Sequence, residues 1–394
     1  MTSSNALVVG AGMTRFSKHP ERSLKSLGAE AINAALADGN VEPGEIDMAF
    51  VANSMSGTIT GQTAVVGQTI LRQMGFSAIP VFNIDNACAS SSSAFALAMQ
   101  AIQSGAAKTV LVLGVEKLVV KDDKSRTYLA LNGAADPEFL VESGIDPSKG
   151  SLFVSAVYPE RLERYASAYE LKQETLARIS VKNRAHAGLN PKAQYTDPLS
   201  LEDVLSARQV VGPVTTLMCA PIGDGASAVI LKRTDQVDDR SRAIGILAAQ
   251  VGTGMSPDQG TAIGYTAKQA YAAAEITPGD VDFAEVHDSI SFNELLAYEE
   301  LGLVEPGQGH LLVESGETAL GGSTPINTSG GLESRGHPVA ATGLAQIIEL
   351  MEQLRGEAGK RQVENARIGL AENAGGFAKD DTAAMAITIL TNRI

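Results

Sequence analysis

Ile276-Thr277-Pro278-Gly279-Asp280-Val281-Asp282-Phe283-Ala284-Glu285-Val286 repeats, in order and in kind, Val41-Glu42-Pro43-Gly44-Glu45-Ile46-Asp47-Met48-Ala49-Phe50-Val51. An alanine-rich segment precedes each copy, at residues 267–274 and 29–36. Pro-Gly followed by an acidic residue stops a helix, and the apolar run behind it has the character of a buried strand. Each copy therefore predicts helix, turn and strand. Two such units half a chain apart predict a duplicated βα unit packed as two related halves, not a solenoid. The expected product is α/β: two sheets with helices between and outside them.

Outward from this repeat, each half supplies a second matching pair. Residues 90–104 read as a helix and Thr109-Val110-Leu111-Val112-Leu113 as a parallel strand covered on both faces. In the second half, residues 343–354 and Arg367-Ile368-Gly369-Leu370-Ala371 hold the corresponding places. Residues 23–38 and 61–74 read as helices, and residues 5–9 as a strand closed by a turn at Gly10-Ala11-Gly12. That GxG has no third glycine at the right distance and is a poor start for a dinucleotide site. Between about 117 and 216 the alternation loosens, and residues 159–187 read as one helix carrying Arg161, Arg164, Arg178, Lys182 and Arg184. This insertion is either a solvated surface excursion or a place that receives a large anionic ligand. The expected division is an N-terminal half, 1–240, including the insertion, and a C-terminal half, 241–394.

Composition narrows the function. The 394 residues carry a net charge of −14, no Trp and 5% aromatics. A nucleic-acid surface needs basic and stacking groups, so that class is excluded. Two cysteines, Cys88 and Cys219, make neither a disulfide framework nor a CxxC metal pair, which points to a reducing, cytoplasmic setting and no metal. No apolar run reaches the ~18–20 residues of a membrane span. The first five residues leave no room for a signal segment, and Asn392-Arg393-Ile394 is not a peroxisomal tripeptide.

The chemistry centres on Asn86-Ala87-Cys88-Ala89-Ser90, a turn feeding the helix after it. A lone cysteine is commonly a core thiol. At a helix N-terminus, however, unpaired N–H groups and the macrodipole favour thiolate, the reactive form. Two of the five histidines fall in loops at equivalent edges of the duplicated units. His287 follows the strand at 283–286, in Val286-His287-Asp288-Ser289 with Asn293-Glu294 beyond. His337 sits in the glycine-rich run Gly330-Gly331-Leu332-Glu333-Ser334-Arg335-Gly336-His337-Pro338, just ahead of a helix. Glu372-Asn373-Ala374-Gly375-Gly376 closes the last central strand.

These motifs, together with Leu354-Arg355-Gly356-Glu357-Ala358-Gly359-Lys360-Arg361, resemble the thiolase superfamily, and within it the sterol-carrier-protein thiolase branch, over essentially the whole chain. The resemblance implies a thiolase fold, a layered αβαβα core with an inserted loop domain. It implies an acyltransferase acting on acyl-CoA: Cys88 as nucleophile, His337 as its base, and His287 with His337 at an oxyanion hole for the enolate. A second hole would use the N–H groups of Cys88 and Gly375, with Asn293 and Gly336 also beside the substrate. Coenzyme A enters as substrate with no tightly bound cofactor, and Lys182 and Arg184 are candidates to hold it. A homodimer or homotetramer is implied; a small partner protein goes with the alternative reading, an acyltransferase or condensing subunit without thiolysis, as for some thiolase-like proteins of this branch.

One position departs from the family. Classical thiolases carry a second cysteine where Asn373 stands, and the sterol-carrier branch supplies it where Ser289 stands. A serine hydroxyl is a far weaker acid than a thiol with its pKa of ~8.5. Three readings follow: a working thiolase in which a histidine or Ser289 replaces that cysteine; an acyltransferase or condensing enzyme without thiolysis; or an acyl-CoA or lipid binder. Retention of Cys88 with both histidines speaks against the third. Cys219, in Leu217-Met218-Cys219-Ala220-Pro221, reads as core.

Overall fold

Nine strands form one mixed sheet in this computed structural model, which describes residues 5–121, 123–144, 146, 150–256, 258–378 and 381–394. In chain order they are β1 (Ala6–Met13), β2 (Met48–Ala52), β3 (Val81–Ile84), β4 (Thr109–Glu116), β5 (Gly225–Arg233), β6 (Ile244–Thr253), β7 (Phe283–Glu285), β8 (Ile368–Gly375) and β9 (Ala384–Thr391). The spatial order is β3-β2-β4-β5-β1-β6-β9-β8-β7. β2 pairs in parallel with β3 and β4, and β8 with β7, while the remaining pairs are antiparallel. The first four residues, on which the signal-segment expectation rests, lie outside the described ones.

The duplication is visible in hydrogen bonds as well as in order. Helix α1 (Leu24–Gly39) leads through the 3₁₀ turn Pro43–Glu45 into β2, and a second helix, Ala262–Ala274, leads through Pro278–Asp280 into β7. The aspartate after each turn clamps the start of the neighbouring strand. Asp47 Oδ2 accepts from the N–H groups of Lys108 and Thr109 at 2.8 and 2.9 Å. Asp282 Oδ2 accepts from Arg367 and Ile368, both at 2.8 Å. The two half-sheets are not separate, as the repeat alone suggests. They join edge to edge where Leu7 and Val8 pair with Gly245 and Ile244.

Helices α2 (Ser90–Gln103) and Thr342–Leu354 lie between the two half-sheets and pack on strands of both. α1 covers the outer face of the first half and Ala262–Ala274 that of the second, which gives five layers. The central helices are buried almost all round, so their polar side chains must be bonded to one another. Ser92 Oγ donates to Asn373 Oδ1 at 2.9 Å, and Ser91 Oγ accepts from Leu344 N–H at 3.0 Å. Gly343 is obligatory there, because a Cβ on it would collide with the Ser92 hydroxyl.

Three local expectations change. The strand β1 runs through Gly10-Ala11-Gly12 instead of turning; a Cβ at Gly10 or Gly12 would strike the carbonyls of Ala35 or Ala31 in α1, so the glycines serve close strand–helix packing. The helix read over 61–74 is limited to Val66–Gln73, because Gly61, at φ +80°, ends an earlier short helix. The helix read over 159–187 is two, α3 (Tyr158–Ala168) and α4 (Gln173–Ala187). The break is at Tyr169, whose extended backbone lets its ring pack 5.1 Å from that of Tyr165. Among the described residues no helix is long and apolar enough to cross a membrane.

Candidate active site

Cys88 lies in the 3₁₀ turn Ala87–Ala89 that opens α2, held by a cage of local bonds. Asn86 N–H donates to Ser90 Oγ at 2.8 Å, Asn86 Nδ2 to Ser93 Oγ at 2.9 Å, and Ala87 N–H to Asp85 Oδ1 at 3.0 Å. These bonds keep Ala87 at φ +50°, a conformation that costs a non-glycine residue on the order of 1 kcal/mol or more. The turn packs against β8 and β9 at the start of the central helix.

From the other half come the two imidazoles. His287 follows β7, with its N–H bonded to Glu372 Oε2 at 2.7 Å. Asp288 points the opposite way and accepts from the N–H groups of Leu332 and Glu333 at 2.7 and 3.3 Å. It thus ties the His287 loop to the glycine-rich run that carries His337. Gly331 must lack a side chain, because the Asp288 carboxylate occupies the space of its Cβ. Arg335, fully buried, anchors the same run through Glu285 at 3.1 Å.

The rings of His287 and His337 meet edge to face, with centroids 5.2 Å apart. The Cys88 sulfur and one nitrogen of each ring all lie within 4.8 Å of one another. Hydrogen bonds to Nδ1 set the two tautomers apart. Thr342 Oγ1 donates to the Pro338 carbonyl, so toward His337 Nδ1, 2.7 Å away, it acts as acceptor. His337 then carries its proton on Nδ1 and offers a lone pair at Nε2. Asn373 Nδ2, oriented by Ser92 on its oxygen, donates to His287 Nδ1 at 3.0 Å. His287 therefore carries its proton on Nε2. One ring is a base and the other a donor, an assignment suited to proton transfer and oxyanion binding more than to a metal ion.

Burial governs the electrostatics. It pushes the Cys88 thiol up to about 12, aided by the Glu116 and Asp85 carboxylates and opposed by the Gly376 N–H. The helix end does not overcome desolvation, contrary to the expectation of a standing thiolate. Burial and the Arg161 and Arg335 charges hold His287 down at about 3, and burial with His287 and Arg335 holds His337 well below its usual range. At neutral pH the resting site is a thiol beside two neutral imidazoles.

These groups open on a cavity of about 240 Å³. Cys88, His287, His337, Ser289, Asn293 and Gly375 line it, with Leu118, Leu131, Phe153, Val154, Val157, Ile222 and Phe377 as apolar walls. Gly375 packs so closely on the Cys88 turn that a Cβ would strike the Asn86 carbonyl, while the N–H aimed at the sulfur is that of Gly376, one residue on. Gly336 is not on the cavity wall; at φ +110° it packs on Phe16 and Gln194. Lys182 is bonded to Glu294 and the Ile326 carbonyl, and Arg184 to Ser334 and the Asp197 carbonyl, so both cations are already engaged away from the cavity.

Two wall residues differ from or go beyond the sequence expectation. Cys219 packs against the core of the second half, as read, but also reaches the cavity wall, with its thiol turned to the Thr215 carbonyl at 3.4 Å. Tyr158, at the start of α3, has its hydroxyl 3.0 Å from Ser289 Oγ. Nothing in the sequence singles out Tyr158, since its partner is 131 residues away.

A stability prediction arises from the same loop. The Glu333 carboxylate is buried beside the Ser180 and Ser291 hydroxyls, without an ion pair among the described residues. Burial, with the Glu294 charge, raises its pKa above the ordinary glutamate value against the opposing pull of the two serine hydroxyls and Lys182. The folded state then binds a proton that the unfolded state has lost, so this contribution is full below the unfolded pKa of ~4.3 and disappears as pH rises through the raised value. Glu333→Gln is expected to melt several degrees higher than the parent at pH 8, with the gap closing toward pH 5. Equal melting temperatures at pH 8 would contradict this.

Residues 6–203 match the family described as "Thiolase, N-terminal domain", and residues 253–389 that described as "Thiolase C-terminal domain-like". An acetyl-CoA acetyltransferase of Methanothermobacter thermautotrophicus is 37% identical over 94% of this chain and 96% of its own. Human sterol carrier protein 2 is 38% identical over 95% of this chain and 70% of its own. A solved structure titled "Ltp2-ChsH2(DUF35) aldolase" shares the fold at a TM-score of 0.82 and 24% identity, covering 100% of this chain and 99% of that one.

Proposed function

Because the chain belongs to the thiolase superfamily, on its sterol-carrier-protein-like branch, we propose that it is an acyl-CoA acyltransferase working through an acyl-Cys88 thioester, as a thiolase that cleaves or forms 3-ketoacyl-CoA. The observation that carries this reading is the trio of Cys88 sulfur and two imidazole nitrogens within 4.8 Å on the wall of an apolar cavity. His337 Nε2 takes the thiol proton as the sulfur attacks the 3-keto carbon, since a thiol near pKa 12 needs a base at the moment of attack. The N–H groups at Gly376 and Cys88 hold the oxyanion formed there. The Nε2–H of His287 holds the enolate oxygen of the leaving acyl-CoA. Each such donor is worth roughly 3 kcal/mol when aimed at developing charge. The apolar walls receive the acyl chain, where each buried methylene contributes about 0.8 kcal/mol.

The test is mass spectrometry of the CoA pool after incubation with free CoA and a panel of 3-ketoacyl-CoAs. A shortened acyl-CoA appearing together with acetyl- or propionyl-CoA is the expected result; intact substrate and an unmodified Cys88 would refute it. Intact substrate with acylated Cys88 corresponds to the second reading, acyl transfer without cleavage, which Ser289 in the α-proton position favours. Ser289→Cys is expected to raise the thiolysis rate about tenfold or more, because a thiol moves protons near neutrality far more readily than an alcohol. An unchanged rate in stopped-flow thiolysis would show that proton transfer at this position does not limit cleavage.

A further inference from the structure

The wall of the same cavity carries three linked polar groups. Asn293 Nδ2 donates to Ser289 Oγ at 2.7 Å, and Tyr158 Oη stands 3.0 Å from the same oxygen. With the phenol as donor, both lone pairs of Ser289 Oγ are taken, and its own proton is left to point into the cavity. All three residues line that cavity. Tyr158 follows immediately on a π-helical turn, Phe153–Val157, a distortion that often marks functional positions. The Phe153 ring lies 6.1 Å from that of Tyr158.

We propose that Tyr158 is the proton reservoir for the α-carbon of the substrate, acting through Ser289 as a two-hydroxyl relay in place of a second cysteine. This rests on the reading of the protein as a thiolase and names a residue for a step that reading leaves to Ser289 alone. In cleavage, the bond between C2 and C3 breaks and its electron pair passes to C2 as the enolate. Ser289 Oγ–H gives its proton to C2, Tyr158 Oη–H gives its own to Ser289, and the phenolate left behind is reprotonated by the thiol of the incoming CoA. That CoA sulfur then takes the acyl group from Cys88, and His337 returns the proton it holds to the Cys88 sulfur. Atoms and charge balance with no further reactant.

The groups facing Tyr158 favour the protonated phenol. Burial and the Cys219 and Cys88 sulfurs raise its pKa, while the Ser289 hydroxyl and Arg161, one turn along α3, act the other way. A protonated phenol is the form that cleavage uses, and the phenolate is the form that abstracts an α-proton.

The test is deuterium exchange at C2 of acetyl-CoA in D2O, measured with acylation of Cys88 by the same acetyl-CoA. Acylation moves no α-proton, so the ratio of exchange to acylation isolates the relay. In Tyr158→Phe this ratio is expected to fall about 100-fold, the usual scale of a lost acid–base group. Incorporation of 3,5-difluorotyrosine at 158, whose phenol is more acidic, should move the rising limb of the exchange–pH profile to lower pH. A merely structural tyrosine would not shift that limb. A Tyr158→Phe ratio within twofold of the parent, or an unshifted profile in the fluorinated protein, overturns the proposal. Absence of exchange in a parent that acylates normally also overturns it. If the parent forms no acyl-Cys88 at all, the thiolase reading itself has failed. Should Tyr158→Phe fold poorly, the fluorinated protein decides alone.

Discussion

Cys88→Ala is expected to abolish acyl-enzyme formation and to lower turnover by at least about 10⁴-fold, the scale on which loss of a catalytic nucleophile is felt. Cys88 is the sulfur that lies beside both imidazoles on the cavity wall. The neighbouring thiol of Cys219 is turned to the Thr215 carbonyl and so is not presented to them. Removing one half-buried sulfur costs on the order of 1 kcal/mol of stability, a shift of only a few degrees in a chain of this size. The turn that holds position 88 is built from backbone groups and Asp85, Asn86, Ser90 and Ser93, all of which remain. Intact-protein mass spectrometry after incubation with acetyl-CoA should show one acyl adduct on the parent and none on the variant. The same adduct on a folded Cys88→Ala protein would remove Cys88 from the nucleophile's place.

Much of the architecture was legible because its signals are local. The Pro-Gly-acidic turns and the unbroken apolar run at β4 are each contained within about a dozen residues, and the turn recurs in the second half; the aspartate clamps behind the turns reach strands more than sixty residues on and became visible only in the fold. Cys88, His287 and His337 were legible as candidates for a related reason: each sits in a short run of small residues at a strand or helix end. What the sequence could not express is how much water the fold removes. The helix N-terminus at Cys88 suggests a lowered thiol pKa, yet the apolar walls and the carboxylates of Glu116 and Asp85 reverse the sign. The Gly10-Ala11-Gly12 run was equally ambiguous, since a glycine that lets a chain turn and one that lets a helix approach read alike. Lys182 and Arg184 looked available for an anionic ligand only because their partners, Glu294 and Ser334, are more than a hundred residues away. Tyr158 was invisible for the same reason.

His337→Gln is expected to slow acylation of Cys88 by about 10²–10⁴-fold at pH 7, the usual scale of a general base, and to change its pH dependence. In the parent the reacting state is a neutral thiol beside a neutral imidazole. His337 is held well below its ordinary pKa, and the thiol is pushed up to about 12. That state persists across the neutral range, so the parent's acylation rate should be nearly flat from pH 6 to 9. Without the imidazole, attack must wait for the small fraction of thiolate, which grows tenfold per pH unit below a pKa of about 12. The variant's rate should therefore climb with a slope near one, and its deficit should shrink as pH rises. Glutamine can still donate from its amide, so any loss comes from the missing base and not from an empty site. Rapid-quench measurement of acyl-Cys88 formation from acetyl-CoA between pH 6 and 10 reads both slopes. A flat profile in His337→Gln, or a rate equal to the parent's at pH 7, would show that His337 does not take the thiol proton; His287 is poorly placed to do so instead, because the Asn373 amide fixes its proton on Nε2.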